Sequence, residues 1–210
     1  MISKAIADKM MSRIKKYGRG RRVFCAKDFF DLGSRTAIDQ AFSRLARAGQ
    51  LRRVGRGLYD WPDTLVIKKP SGTIRKEIPP DHHAALDAIS RKDGIKIYPS
   101  GLAAANSYGL TTAVPVQPIY TTDGSSRKVK IGDKTIMLRG ASRKVLSWNN
   151  RPAFDVIQAL FWLGRILVKN PEVVKELQKL PDKVKKDLSK GRNLLPSWTI
   201  PVVNDAILGN

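Results

Sequence analysis

Acidic residues are scarce in this chain of 210 residues: 18 Asp and Glu stand against 39 Lys and Arg, a formal net charge of +21 at pH 7. Histidine is scarcer still, with only His82 and His83, and there is one cysteine, Cys25. A single cysteine excludes an intramolecular disulfide framework and a thiolate metal cluster. The opening Met1-Ile2-Ser3-Lys4-Ala5-Ile6 lacks the apolar region of a signal peptide. The longest uncharged stretch, Ile97 to Thr122, is broken by Pro99, Pro115 and Pro118 and is no membrane span. The expectation is a cytoplasmic chain with no membrane partner.

What is present is an ordinary globular composition, 42% hydrophobic and 27% charged, rather than a disordered basic tail. The length suits one large domain or two small ones. A basic surplus on a folded body implies a polyanionic partner, because each phosphate neutralised by Lys or Arg releases condensed counterions. The surplus is uneven: residues 1–62 carry a net +10, 63–90 are neutral, 91–150 carry +7 and 151–210 carry +4. The neutral stretch holds Pro70, Ser71, Gly72, Pro79 and Pro80. This pattern predicts a domain over 1–62, a linker over 63–80 and a second domain over 81–210.

Within the first domain, Ser3 is placed to cap a helix with Ile6, Met10 and Ile14 on one face, ending at Gly18. Arg21 to Cys25 reads as extended, and Ala26 to Leu32 as a short helix. Ser34 is placed to cap a third helix through Ala48, closed by Gly49. On it Ala37, Ile38, Ala41, Phe42, Leu45 and Ala48 follow the spacing of one buried stripe. The other face shows Arg35, Thr36, Gln40, Ser43, Arg44 and Arg47. Gln50 to Val54 and Leu58 to Trp61 read as strands joined by Gly55-Arg56-Gly57. Helix, strand, helix, turn, helix and β-hairpin in this order predict a winged helix-turn-helix. Arg35 suits guanine O6 and N7, and Gln40 suits adenine N6 and N7, in a major groove. Arg44 and Arg47 suit phosphates, and Arg52, Arg53 and Arg56 on the wing suit the backbone or a narrow minor groove. The plainer alternative is a solvated basic face used for protein contact.

The second domain is expected to be mixed α/β, which makes the chain α+β overall. Asp81 to Ile89 reads as a helix, Ile95 to Tyr98 as a strand, and Gly101 to Asn106 as a small-residue helix capped by Ser100. Val114 to Tyr120 reads as an edge strand because of its prolines. Lys128 to Ile131 and Thr135 to Leu138 alternate with period two around Gly132-Asp133, which predicts a hairpin. Pro152 is placed to open an apolar core helix with Ala153, Ile157, Leu160, Phe161, Gly164 and Leu167 on one face. Two charged amphipathic helices, Pro171–Leu180 and Asp182–Lys190, read as outer cover.

The blocks Ser34 to Leu45, Gly55 to Tyr59, Ala103 to Asn106 with Gly109-Leu110-Thr111-Thr112, Tyr120 to Gly124, and Ile157 to Leu160 resemble the AbiEi family. These are antitoxins of type IV abortive-infection toxin–antitoxin systems, and the similarity runs from about residue 20 to about 168. The resemblance implies a winged helix that represses its own operon through promoter repeats. It also implies an antitoxin-type second domain that counteracts a nucleotidyltransferase toxin, with no stable complex generally thought to be required.

Candidate catalytic groups are few. His83 and Asp87 lie at i and i+4 and could offer a metal two ligands, but no third is visible, and a capped helix start explains the same residues. Gly55-Arg56-Gly57 lies inside a hairpin with no helix after it, so it is no dinucleotide fingerprint. No Walker loop, G-x-S-x-G elbow or Asp-x-Asp pair occurs. Cys25, beside Phe24, reads as a small buried residue. The expectation is a binding protein without cofactor or metal. A second basic cluster, Arg127, Lys128, Lys130, Arg139, Arg143 and Lys144, with Lys134, is open to two readings: a further surface for operator DNA or RNA, or the solvated face of a sheet. Two alternatives to an antitoxin stay open: a regulator of other genes whose second domain dimerises or senses an effector, and an enzyme acting on nucleic acid.

Overall fold

The computed structural model describes residues 2–114 and 116–208. The elements, in chain order, are α1 (Ile2–Tyr17), β1 (Val23–Phe24), a 3-10 turn (Ala26–Phe29), α2 (Arg35–Arg47), β2 (Arg52–Gly55), β3 (Leu58–Asp60), β4 (Thr64–Lys69), β5 (Gly72–Glu77) and α3 (His82–Asp93). They continue as β6 (Ile97–Pro99), α4 (Gly101–Ser107), β7 (Ile119–Thr122), β8 (Arg127–Ile131), β9 (Lys134–Gly140), α5 (Arg143–Leu146), α6 (Phe154–Leu167), α7 (Pro171–Gln178), α8 (Asp182–Lys190) and α9 (Ile200–Leu208). The fold is α+β, as expected. Among the described residues, no helix is long and apolar enough to cross a membrane. The helix predicted to start after Ser3 already includes it; the Ser3 side chain and Pro115, the latter expected in an edge strand, lie outside the described residues.

The chain forms two compact units, residues 1–97 with 128–136, and residues 98–127 with 137–210. The first unit is built around α1 and α2. Ile6, Met10 and Ile14 of α1 are buried against Ile38, Phe42 and Leu45 of α2, the spacing expected of two amphipathic helices. Ala48, expected in the same stripe, falls after the helix end and is exposed, and Ala37 is only half-buried. A run of ring contacts, Tyr17–Phe24–Phe29–Phe42–Tyr59, threads the core with centroid separations of 5.5, 5.9, 5.5 and 4.4 Å. Its last member stacks Tyr59 of β3 flat on Phe42 of α2 and so fixes the hairpin's position on that helix. Such a pair stabilises by about 1 kcal/mol beyond area burial. The three strands form one antiparallel sheet in the order β1-β3-β2.

Residues 63–80 are not a linker. Thr64–Lys69 and Gly72–Glu77 pair antiparallel, with Ile67 opposite Ile74 and Lys69 opposite Gly72. The β-branched runs on either side of Pro70-Ser71 carried this signal, but the prolines and the neutral charge obscured it. The helix that follows, α3, also belongs to the first unit rather than the second. Its Arg91 donates to Asp28 Oδ1 at 2.8 Å and to the Val23 carbonyl at 2.8 Å. Asp28 also accepts from the Cys25 amide at 2.9 Å. Burial works against the Asp28 charge, yet the Arg91 guanidinium, with that amide and Arg22, holds the carboxyl below the usual carboxylate range. Cys25 is fully buried beside it, and burial together with the Asp28 charge pushes its thiol up.

The second unit packs α4, α6, α7, α8 and α9 around buried Trp148, Ile157, Leu160 and Leu177. Strand β7 pairs parallel with β9 through Ile119–Met137 and Thr122–Gly140. Helix α6 begins at Phe154, two residues later than expected. It kinks at Gly164, whose φ of 70° and ψ of −178° are not helical. The kink takes Leu167 off the predicted buried face and leaves it exposed. Helices α7 and α8 cover the unit as expected, burying Val173, Leu177, Val184 and Leu188 and exposing their charges.

Candidate nucleic-acid interface

Helix α2 is set up locally by its ends. Ser34 Oγ accepts from the Ala37 amide at 3.3 Å at the N-cap, and no acidic residue lies in the first turn. Arg44 and Arg47 lie in the last turn, where cations stabilise the helix dipole. With Ile38, Ala41, Phe42 and Leu45 turned inward, Arg35, Thr36, Gln40, Arg44 and Arg47 are exposed and Ser43 is half-buried. Arg35 donates to Asp39 Oδ2 at 2.7 Å, but both partners are about half exposed, so this i,i+4 pair is weak and exchangeable. Among the described residues, Arg44 and Arg47 have no carboxylate partner.

The β2–β3 hairpin turns at Gly55-Arg56-Gly57, where Gly57 has φ 68°, a conformation that suits glycine. Register shifts between Arg53 and Gly55, which marks a bulge at the buried Val54. The three wing arginines predicted to act alike are in different situations. Arg53 and Arg56 are exposed. Arg52 points inward: it sits opposite Asp60, donating Nε to Oδ1 at 3.1 Å and Nη2 to Oδ2 at 2.5 Å. Its Nη1 reaches the Ile78 carbonyl at 2.8 Å and Glu77 Oε2 at 3.3 Å. Asp60 is 97% buried at its side chain; burial pushes its carboxyl up, and the Arg52 guanidinium opposes that shift. Arg52 is therefore a structural residue rather than a member of the candidate interface.

Other cations counted in the N-terminal surplus are also engaged. Arg13 pairs with Asp31 at 2.5 Å, Arg22 lies over Tyr17, and Arg19 lies over the Trp61 ring at 4.3 Å while donating to the Pro62 carbonyl. The first unit nevertheless carries 25 basic and 11 acidic side chains, a net of +14, twice the +7 of the second.

The second basic cluster does not stay together as one group of residues in one unit. Lys128, Lys130 and Lys134 belong to the first unit, and Arg127, Arg139, Arg143 and Lys144 to the second. Lys128 and Lys130 are exposed while Val129 is half-buried and Ile131 buried, the alternation expected of a two-sided strand. In the second unit Arg139, Arg143 and Lys144 are exposed. Arg139 lines a cavity of about 290 Å³ with Thr121, Gln158, Phe161 and Trp162.

His82 and His83 open α3 behind the cap Asp81, whose Oδ1 accepts from the His83 amide at 2.9 Å. Among the described residues, no three His, Cys, Asp or Glu side chains converge as metal ligands would. Sequence reasoning missed Lys92, whose Nζ donates to the Arg56 carbonyl at 3.3 Å, because α3 was assigned to the other domain.

The chain is thus an α+β protein whose more basic unit presents a cationic helix face beside a cationic hairpin. It belongs to a family of unknown function, DUF6088, whose model matches residues 9–188. No curated protein matches the chain.

Proposed function

We propose that the first unit is a winged helix that binds double-stranded DNA, and that the chain is a type IV antitoxin that represses its own operon in the cytoplasm. The observation that supports DNA binding best is the set Arg44, Arg47, Arg53 and Arg56. All four are exposed, none pairs with a carboxylate among the described residues, and they sit on a helix and hairpin locked together by the Phe42–Tyr59 stack. The element order and the sheet order β1-β3-β2 agree with a winged helix.

On this reading α2 enters a major groove, where Arg35 and Gln40 read base edges, Thr36 and Ser43 contact nearby sugar–phosphate, and Arg44 and Arg47 neutralise phosphates. Arg53 and Arg56 reach backbone or minor groove from the hairpin. Bound at promoter repeats, the protein occludes transcription of its own operon. The antitoxin half of the proposal rests on the sequence resemblance, whose blocks fall in α4, β7 and α6 of the second unit as well as in α2 and the hairpin.

Two experiments test the proposal. Gel shifts on the chain's own promoter are expected to show that R44A/R47A lowers the slope of log K against log salt by about 1.8, at roughly 0.9 per lost phosphate contact. An unchanged slope overturns the DNA reading. Co-expression with a nucleotidyltransferase toxin encoded beside the gene is expected to show full rescue by the wild type and retained rescue by R44A/R47A. If nothing rescues, the antitoxin reading fails and a regulator of other genes takes its place.

A further inference from the structure

Residues 128–136 come about seventy positions after the β2–β3 hairpin, yet they fold into the same unit. Two observations place them along β2. The Gly132 amide in the β8–β9 turn donates to the Val54 carbonyl at 2.8 Å. The Lys130 carbonyl lies 3.0 Å from where a Cβ on Gly55 would stand, so the two backbones are in contact and a larger residue at 55 would force them apart. Strand β2 is at the edge of its sheet, and the bulge at Val54 leaves a carbonyl free for this bond.

The segment is also charged in one direction. Lys128, Lys130 and Lys134 are exposed and pair with no carboxylate among the described residues, while Val129 and Ile131 face inward. Asp133 in the turn is the only acid between them. Lys92 Nζ, 3.4 Å from Asp93 Oδ1 and donating to the Arg56 carbonyl, is committed to holding the hairpin tip and is not counted with these lysines.

We infer that residues 128–136 act as a second wing, a phosphate-binding extension of the same DNA surface that lengthens the footprint along the backbone past the β2–β3 hairpin. The inference rests on the DNA reading of the first unit. It gives the lysines a backbone role without sequence preference, since ammonium groups on a strand face neutralise phosphates without reading base edges.

The test uses the full chain, its own promoter duplex, and the triple variant K128Q/K130Q/K134Q beside R44A/R47A. If at least two of the lysines meet phosphates, the triple variant loses about 60-fold in affinity at 0.1 M salt, its salt slope falls by about 1.8 or more, and its footprint shortens on one flank. Its melting temperature stays at the wild-type value, because the three side chains are exposed. If the triple variant keeps the wild-type slope while R44A/R47A lowers it, the second wing is refuted and the DNA reading stands. If the wild type itself does not bind the duplex, both fail. If the triple variant loses affinity only for a single-stranded RNA of equal length, the segment is an RNA surface and the inference is overturned.

Discussion

Three arginines within five residues, Arg52, Arg53 and Arg56, look interchangeable in the sequence, and the fold predicts that replacing Arg52 alone is costly. Arg52→Ala removes both guanidinium bonds to Asp60 and the bond to the Ile78 carbonyl. The carboxylate left behind is 3% exposed at its side chain. Deleting one partner of a buried pair costs about 3–5 kcal/mol. Arg52 itself is 23% exposed, so water partly screens the pair and the lower end, about 3 kcal/mol, applies. For a unit of this size that is a fall of roughly 12–24 °C in the melting temperature of the first unit. Arg53→Ala and Arg56→Ala, both exposed, are expected to stay within about 0.5 kcal/mol of wild type. Chemical denaturation followed by circular dichroism measures all three. The double variant R52M/D60L, which removes both charges, is expected to recover most of the loss. A loss below about 1 kcal/mol for Arg52→Ala, or an equal loss for Arg53→Ala, would refute the assignment of Arg52 to the fold.

Asp28 gives a pH signature. Its carboxyl is held below the ordinary value in the folded state, so its contribution is complete above about pH 5 and is lost as pH falls through 4 and below. Arg91→Ala removes the largest group opposing burial and leaves the Cys25 amide and Arg22, so the carboxyl moves up; the variant, whose lost guanidinium is a third exposed, is expected to be less stable at pH 7 by about 2 kcal/mol, with a smaller loss on acidification than wild type. Melting curves from pH 3 to 7 decide this, and parallel wild-type and variant profiles would count against it. In the second unit, a Cβ on Gly191 would collide with the buried Trp148 ring, itself held by Arg151, which lies 4.3 Å from the ring centroid and pairs with Asp187 at 2.8 Å. Gly191→Ala is expected to destabilise that unit by about 1–3 kcal/mol, read as a shift of the tryptophan fluorescence transition in denaturant against the wild type. Arg35→Ala and Gln40→Ala are expected to flatten base preference by about 1–3 kcal/mol at single operator positions with little change in salt slope, measured by competition with point-substituted duplexes. Equal losses on every duplex would place both residues on the backbone instead.

Much of the fold was legible residue by residue. Ser34, the apolar stripe of α2, Gly49, the Gly55-Arg56-Gly57 turn and the period-two strands around Gly132 are local signals, set by side-chain spacing and backbone freedom, and the elements stand where they were expected. So does the exposed face of α2, because burying Ile38, Ala41, Phe42 and Leu45 leaves Arg44 and Arg47 only solvent to face. The hairpin at 64–77 was missed because proline and neutral charge look the same in a linker and in an exposed two-stranded arm.

What the sequence could not determine is which cations are committed. Arg52 and Arg91 are bound to carboxylates 8 and 63 residues away, and such pairing depends on burial and on strand register that only the folded chain defines. The same holds for the lysines of 128–136. In the sequence about 65 residues separate them from the N-terminal +10, and in the fold the Gly132–Val54 backbone bond and the Lys130–Gly55 contact put them beside its hairpin. Net charge and amphipathic faces are sums over local sequence, so the chain carries them wherever it goes. Partnership between distant charges exists only once the core has closed.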